Sequence, residues 1–121
     1  MSDLQTLLVH AAARAAHEAN RTLQIIQEED YISPCWDETD ENIKESAYDG
    51  VRKVLENPDI TPRQLHENWI AFKLNDGWSY GPERIDALKQ HPCMCPYDDL
   101  PKEQRNKDAM FQAVVRAVLG L

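Results

Sequence analysis

No apolar run in this chain approaches the roughly 20 residues that a helix needs to cross a bilayer. No basic excess is present either: 13 Lys and Arg stand against 21 Asp and Glu, for a net charge of −8 and a pI of about 4.9. Phosphate backbones and anionic lipid both require clustered cations, so neither a nucleic-acid polymer nor a membrane surface is an expected partner. A small anionic ligand survives that exclusion, because a few local cations can hold one inside an acidic protein. The start, Met1-Ser2-Asp3-Leu4, lacks the basic segment and apolar stretch of a signal peptide, so the cytoplasm is the expected compartment. Three cysteines, Cys35, Cys93 and Cys95, are too few and too odd in number for a disulfide framework.

Metal and catalytic signatures are missing as well. Cys93-x-Cys95 is tighter than the usual Cys-x₂-Cys of zinc sites, and Pro92 stiffens the approach from His91. His17-Glu18 and His66-Glu67 suggest a zinc protease helix until the required second histidine is sought four residues on, where Arg21 and Ile70 stand. No nucleophile, base and orienting group can be assembled from spacing. The expectation is a non-enzyme with no metal and no cofactor.

What is there is helical punctuation. The 121 residues fit one domain, 1–121. Ser2 and Gln5 have the spacing of a capping box that starts a helix near Asp3. Leu4, Leu8, Ala11, Ala15, Ala19, Leu23 and Ile26 form its expected apolar stripe, and the helix should end near Glu28. Asp37, Thr39 and Asp40 offer caps for a second helix over 40–56, with Ile43, Ala47, Val51, Val54 and Leu55 inward. Gly50 costs about 1 kcal/mol in mid-helix, which points to a close helix–helix approach at that residue.

Thr61-Pro62-Arg63-Gln64 combines a cap, a first-turn proline and a capping box. In the third helix Leu65, Trp69 and Phe72 fall on one face, and Asn75-Asp76-Gly77 stops it. Trp78-Ser79-Tyr80 alternates like a very short strand, and Gly81-Pro82 turns the chain. The stretch 83–100 reads as irregular, with Pro92 and Pro96 keeping it extended. Pro101 opens a last helix through Leu119, with Met110, Val114, Ala117 and Val118 inward.

A weak internal repeat runs through this plan. His17-Glu18-Ala19-Asn20 matches His66-Glu67-Asn68-Trp69, and Trp36-Asp37-Glu38 matches Tyr97-Asp98-Asp99. The expected fold class is mainly α: two pseudo-twofold-related helix hairpins, four main helices in all. Short extended segments and a long Pro-containing connector complete it.

The same residues carry a resemblance. His17-Glu18-Ala19-Asn20-Arg21, Pro34 to Trp36, Glu45-Ser46-Ala47, Asp49-Gly50-Val51-Arg52 and Leu55-Glu56-Asn57-Pro58 come first in order. His66-Glu67-Asn68-Trp69, Gly77-Trp78-Ser79-Tyr80-Gly81-Pro82, His91-Pro92-Cys93, Pro96-Tyr97, Leu100-Pro101 and Lys107-Asp108 follow. Over residues 10 to 119 this ordered set resembles the RyR domain, the repeat module of ryanodine receptors that also occurs singly in bacterial and phage proteins. Ser79, where the family often has Thr or Lys, and Cys95 depart from its pattern. The resemblance implies an all-helical ligand-sensing or docking module. It also implies an adenine-nucleotide cleft lined by the tryptophan of His-x-x-Trp, here Trp69. Family copies often occur in pairs, so a homodimer or pairing with another RyR-type domain is an expected partner.

The candidate ligand-binding residues follow. Trp69 can stack on a base, and Asn20, its counterpart in the repeat, can read an adenine edge. Lys73, one turn after Trp69, and Arg21 can meet phosphate. Tyr80 is a candidate for the cleft mouth. Trp36 and Trp78 read first as core and second as ligand contacts. Structural roles are expected for His17 and His66, each bonded across the pseudo-dyad or onto a connector. Gly50, Gly81, Pro92, Tyr97, Lys107 and Asp108 complete the structural set, the last two bonding to connectors. The expected function is to sense or sequester a small nucleotide-type molecule, an adenine nucleotide or an ADP-ribose-derived signal. The alternative is an interaction or assembly module without a ligand.

Overall fold

A computed structural model describes residues 2–121. Four helices dominate it: α1 (Asp3–Ile26), α2 (Glu41–Glu56), α3 (Pro62–Asn75) and α4 (Lys102–Leu119). The local signals set most of their ends. Ser2 Oγ accepts from the Gln5 amide at 3.1 Å and the Gln5 side chain returns the bond, closing the capping box. Thr61 and Gln64 repeat the device before α3, with Pro62 at its first position. Gly77, at φ +87°, follows the end of α3 in a conformation that glycine adopts without strain. Among the described residues no helix is long and apolar enough to cross a membrane.

The buried faces differ from expectation in two helices. In α1 the buried residues are Val9, Ala12, Ala13, Ala16 and Gln24, while Leu4, Ala11 and Ile26 are exposed. The expected stripe is therefore rotated: alanines on both sides of the helix give periodicity little contrast. In α4 Val115 is fully buried and Ala117 is exposed, because α1 packs on the face that carries the valines.

One core unites the two halves. Val9, Ala12, Ala13 and Ala16 of α1 meet Val51 and Val54 of α2, Leu65 of α3 and Val115 of α4. α1 packs on α2 and α4, and α3 packs on the same two. At the crossing of α2 and α4 a Cβ on Gly50 would lie 3.0 Å from Phe111 Cζ, so the mid-helix glycine marks the expected close approach.

The halves differ in what joins their helices. Residues 27–35 separate α1 from a 3₁₀ turn at Trp36–Glu38, whereas residues 76–96 separate α3 from the matching turn at Tyr97–Asp99. The longer connector is more ordered than its irregular sequence suggests. β1 (Ser79–Tyr80) pairs in parallel with β2 (Gln90–His91), and a 3₁₀ turn at Asp86–Leu88 lies between them. Gly81 is required there, since a Cβ would fall 2.8 Å from Gln90 Cβ.

Candidate functional site

The first elements of the site are two copies of one arrangement. In the first, His17 Nε2 donates to the Pro34 carbonyl at 2.8 Å, and Arg14 holds Asp37 at 2.9 Å. In the second, His66 Nε2 donates to the Cys95 carbonyl at 2.7 Å, and Arg63 holds Asp98 at 2.6 Å. Each histidine faces the aromatic of its 3₁₀ turn, Trp36 at 5.4 Å and Tyr97 at 6.0 Å between ring centroids. Of the two bonding modes expected of the histidines, the structure uses the one onto a connector. Each Arg-x-x-His unit thus fastens its helix to the loop that leads into the next helix.

Between the two copies lies a cleft of about 990 Å³. Its walls use equivalent positions of both halves: His17 and His66, Asn20 and Trp69, Gln24 and Lys73, Ala47 and Asp108, Gly50 and Phe111. The lysine and the carboxyl among these pairs, Lys73 and Asp108, both belong to the second half. Gln24 is neutral, and its Oε1 accepts from the Ser33 amide at 2.7 Å. Lys73, at the matching place, is 4% exposed, and among the described residues it makes no ion pair. Its ammonium lies 4.8 Å from the Trp78 ring centroid. Burial, with help from the nearby Arg84 charge, pulls its pKa down to about 8.

Trp69 is half-buried and stacks on His66 at 5.7 Å, while its ring meets His91 edge-on at 5.0 Å. Across the cleft, Asn20 Oδ1 is buried without a hydrogen-bond partner, a condition that costs about 1–3 kcal/mol when nothing fills it. His91 Nδ1 accepts from the Cys93 amide at 3.0 Å, so its proton resides on Nε2. Burial, with Arg84 and Lys73 nearby, holds the His91 pKa down at about 3 and keeps the ring neutral. Asp108 Oδ2 is 4.0 Å from His66 Nδ1, and burial pushes this carboxyl up to about 7. Burial likewise raises the Cys93 thiol to about 11, which leaves it protonated and unreactive at neutral pH.

Loops from both halves meet over the cleft. Lys107 Nζ bonds Glu29 Oε1 at 2.7 Å, joining α4 to the first connector. Tyr31 Oη donates to Asp86 at 3.1 Å, and the Arg84 guanidinium lies 4.0 Å over the Tyr31 ring. These partners are far apart in sequence, so spacing alone carried no sign of them. In the sequence His91 stood out only beside Cys93-x-Cys95 and in the His91-Pro92-Cys93 stretch, and its place on β2 sets it edge-on to Trp69.

The sequence-derived candidates separate cleanly. Trp69, Asn20 and Lys73 line the cleft, as do His17, His66, Gly50, Pro92, Lys107 and Asp108. Trp36, Trp78, Arg21 and Tyr80 lie outside it, with Gly81 and Tyr97. Trp36 is buried against His17 and Tyr48, and Trp78 is buried under Lys73. Arg21 Nε donates to the Ser33 carbonyl at 3.0 Å, and Tyr80 is 61% exposed on β1. Among the described residues no group of three or more His, Cys, Asp or Glu side chains is placed to hold a metal ion.

The family model of the RyR domain matches residues 51–121, from the middle of α2 through the end of α4. That span contains the His66, Trp69, Lys73, His91 and Asp108 side of the cleft and covers more than half of the chain. The chain belongs to the RyR domain family.

Proposed function

We propose that this RyR-type module binds a small nucleotide-like ligand, an adenine nucleotide or an ADP-ribose derivative, in the cleft between its halves, and does not turn it over. The observation that carries this reading is the pairing of Trp69 with Lys73, one helical turn apart on the same wall. Trp69 offers a ring for a base, worth about 1–3 kcal/mol by analogy with single-strand binders. Lys73 is a nearly buried cation that has no ion partner among the described residues, and a phosphate would supply one. Asn20 Oδ1, buried and unsatisfied opposite, accepts a hydrogen bond that an amino-substituted base edge can donate. The resemblance to receptor copies with an adenine-nucleotide cleft points the same way.

Isothermal calorimetry with adenine nucleotides and ADP-ribose tests the proposal. Binding is expected with at least one of them, and Trp69→Ala should weaken it at least tenfold. Absence of heat with every compound counts against the reading, and conversion of a bound nucleotide would make the protein an enzyme instead.

The alternative is an interaction or assembly module. Leu4 and Leu7, each 67% exposed on the first turns of α1, favour it as an apolar edge for a second copy or another RyR-type domain. Mass measurement across a range of concentrations decides: a strictly monomeric protein without a partner removes this reading.

A further inference from the structure

The arrangement of charge around the cleft bears on how many phosphates its occupant can carry. Three cationic side chains line it: Lys73, Arg84 and Lys107. Two of them are already committed. Arg84 Nε holds Asp86 at 2.8 Å, and Lys107 holds Glu29 at 2.7 Å. Lys73 is the one lining cation that, among the described residues, has no ion pair, and it lies deep. The carboxylates of Glu28, Asp30 and Glu83 line the same cleft from exposed positions, and among the described residues none of the three forms an ion pair. The cleft therefore holds one unpaired ammonium within, on the same wall as the Asp108 carboxyl, and unpaired carboxylates at its rim.

A base stacked on Trp69 would place the first phosphate of a nucleotide near Lys73, since side chains four apart on a helix are roughly 6 Å apart at Cβ. The proton on His91 Nε2 offers a second donor beside Trp69. The other lining cations that a second or third phosphate could meet, Arg84 and Lys107, already hold Asp86 and Glu29, and the exposed groups of the lining include the carboxylates of Glu28, Asp30 and Glu83. Like charges repel, and because the rim carboxylates are exposed the repulsion is strongest at low ionic strength.

We infer, resting on the nucleotide reading above, that the cleft selects a nucleotide bearing a single phosphate, held by Lys73 and the His91 Nε2–H, and discriminates against di- and triphosphates. Selectivity of this kind comes from repulsion at the rim as much as from attraction inside it.

The full chain titrated with adenosine, AMP, ADP and ATP in magnesium-free buffer tests it. AMP is expected to bind at least about tenfold tighter than adenosine and than ATP. Lys73→Met, which nearly keeps the length of the side chain and removes its charge, should take away most of the preference for AMP over adenosine, read as the ratio of the two affinities. A second readout needs no variant. The charged groups acting on Lys73 are Arg84, Asp76, Asp86 and Lys89, and none of them neutralises its burial. A phosphate that pairs with Lys73 therefore raises its pKa from about 8, and AMP binding at pH 8 should take up protons, seen as a heat that varies with buffer ionisation enthalpy, an uptake that Asp108→Asn keeps and Lys73→Met removes. ATP binding as tightly as AMP, AMP no tighter than adenosine, or AMP binding without proton uptake would overturn the inference while leaving nucleotide binding itself intact. Silence with all four compounds overturns the nucleotide reading, and the inference falls with it.

Discussion

The α1–α2 half and the α3–α4 half of this molecule carry the same fastening and different contents. Both use Arg-x-x-His to tie a helix to a loop, with the histidine on a carbonyl and the arginine on an aspartate. In the first half the positions facing the cleft are Asn20, Gln24 and Ala47; in the second they are Trp69, Lys73 and Asp108. The first half buries its large aromatic, Trp36, as core at 7% exposure, while Tyr97 stays half-buried. The repeated contacts build the frame and leave the cleft-facing positions free to diverge. An aromatic ring, an unpaired cation and a strained carboxyl have accumulated on one wall. Identical fastenings with unequal walls are what a binding cleft on an approximate twofold needs if its ligand is not itself symmetric.

The comparison can be broken most severely at the paired aromatics. Trp36→Ala should cost about 4 kcal/mol and Tyr97→Ala about 2 kcal/mol, because the first vacates the shared core and the second a half-exposed site. Urea denaturation of both variants checks the difference, and equal losses would mean that the second half contributes as much core as the first. Gly50→Leu comes next, at about 3 kcal/mol, since even a Cβ would meet Phe111 at 3.0 Å where α2 and α4 cross. Thermal melting of that variant reports whether the two halves hinge on this contact.

Asp108 is the subtler test. Its pKa is raised to about 7 from an ordinary 3.8, so between those values the folded protein binds the proton more readily than the unfolded chain does. Its contribution to stability therefore falls as pH rises from about 4 to 7, and above that the charged carboxyl is a burden in the fold. His91, held down near 3, acts in the opposite direction between about 3 and 6.5, because there the unfolded chain binds the extra proton. Asp108→Asn should thus be more stable than the parent at pH 8, by something on the order of 2 kcal/mol, with the gain vanishing below about pH 4. Denaturation midpoints at both pH values measure it. Ala47, the matching residue of the first half, has no charge to lose, so a comparable pH-dependent gain on Ala47→Asn would remove the distinction between the walls.

The smallest effect is expected at the matched ion pairs. Arg14 with Asp37 and Arg63 with Asp98 have good geometry but lie in solvent. Arg14→Ala and Arg63→Ala should each change the melting temperature little, and by the same small amount, with even that difference disappearing in high salt.

Much of the frame was legible because it is written locally. A capping box, a first-turn proline and a mid-helix glycine act within a few residues, so Ser2, Thr61-Pro62 and Gly50 announced their roles. The buried face of α1 was not legible: Ala11, Ala12, Ala13, Ala15 and Ala16 cover most directions around the axis, and only packing against α2 and α4 selects among them. Part of the site was visible through the repeat, which set Asn20 opposite Trp69 and Lys73 a turn beyond. Arg84, Asp86, Tyr31 and Glu29 were not, because the contacts of Tyr31 with Asp86 and Arg84 join two connectors, and Glu29 is held by Lys107 of α4, far along the chain.

The sequence by itself determined the four helices, the capping boxes at Ser2 and Thr61, the repeated His-Glu stretches and the resemblance to one family, since each of these rests on near neighbours or on order along the chain. The tertiary structure alone decided which tryptophan is left half-open to the cleft and which lysine is buried without a partner. Trp36, Trp69 and Trp78 are chemically alike, and so are Lys73 and Lys107. Only the packing of the halves buries Trp36 and Trp78, gives Lys107 its glutamate, and leaves Trp69 half-buried on one wall with Lys73.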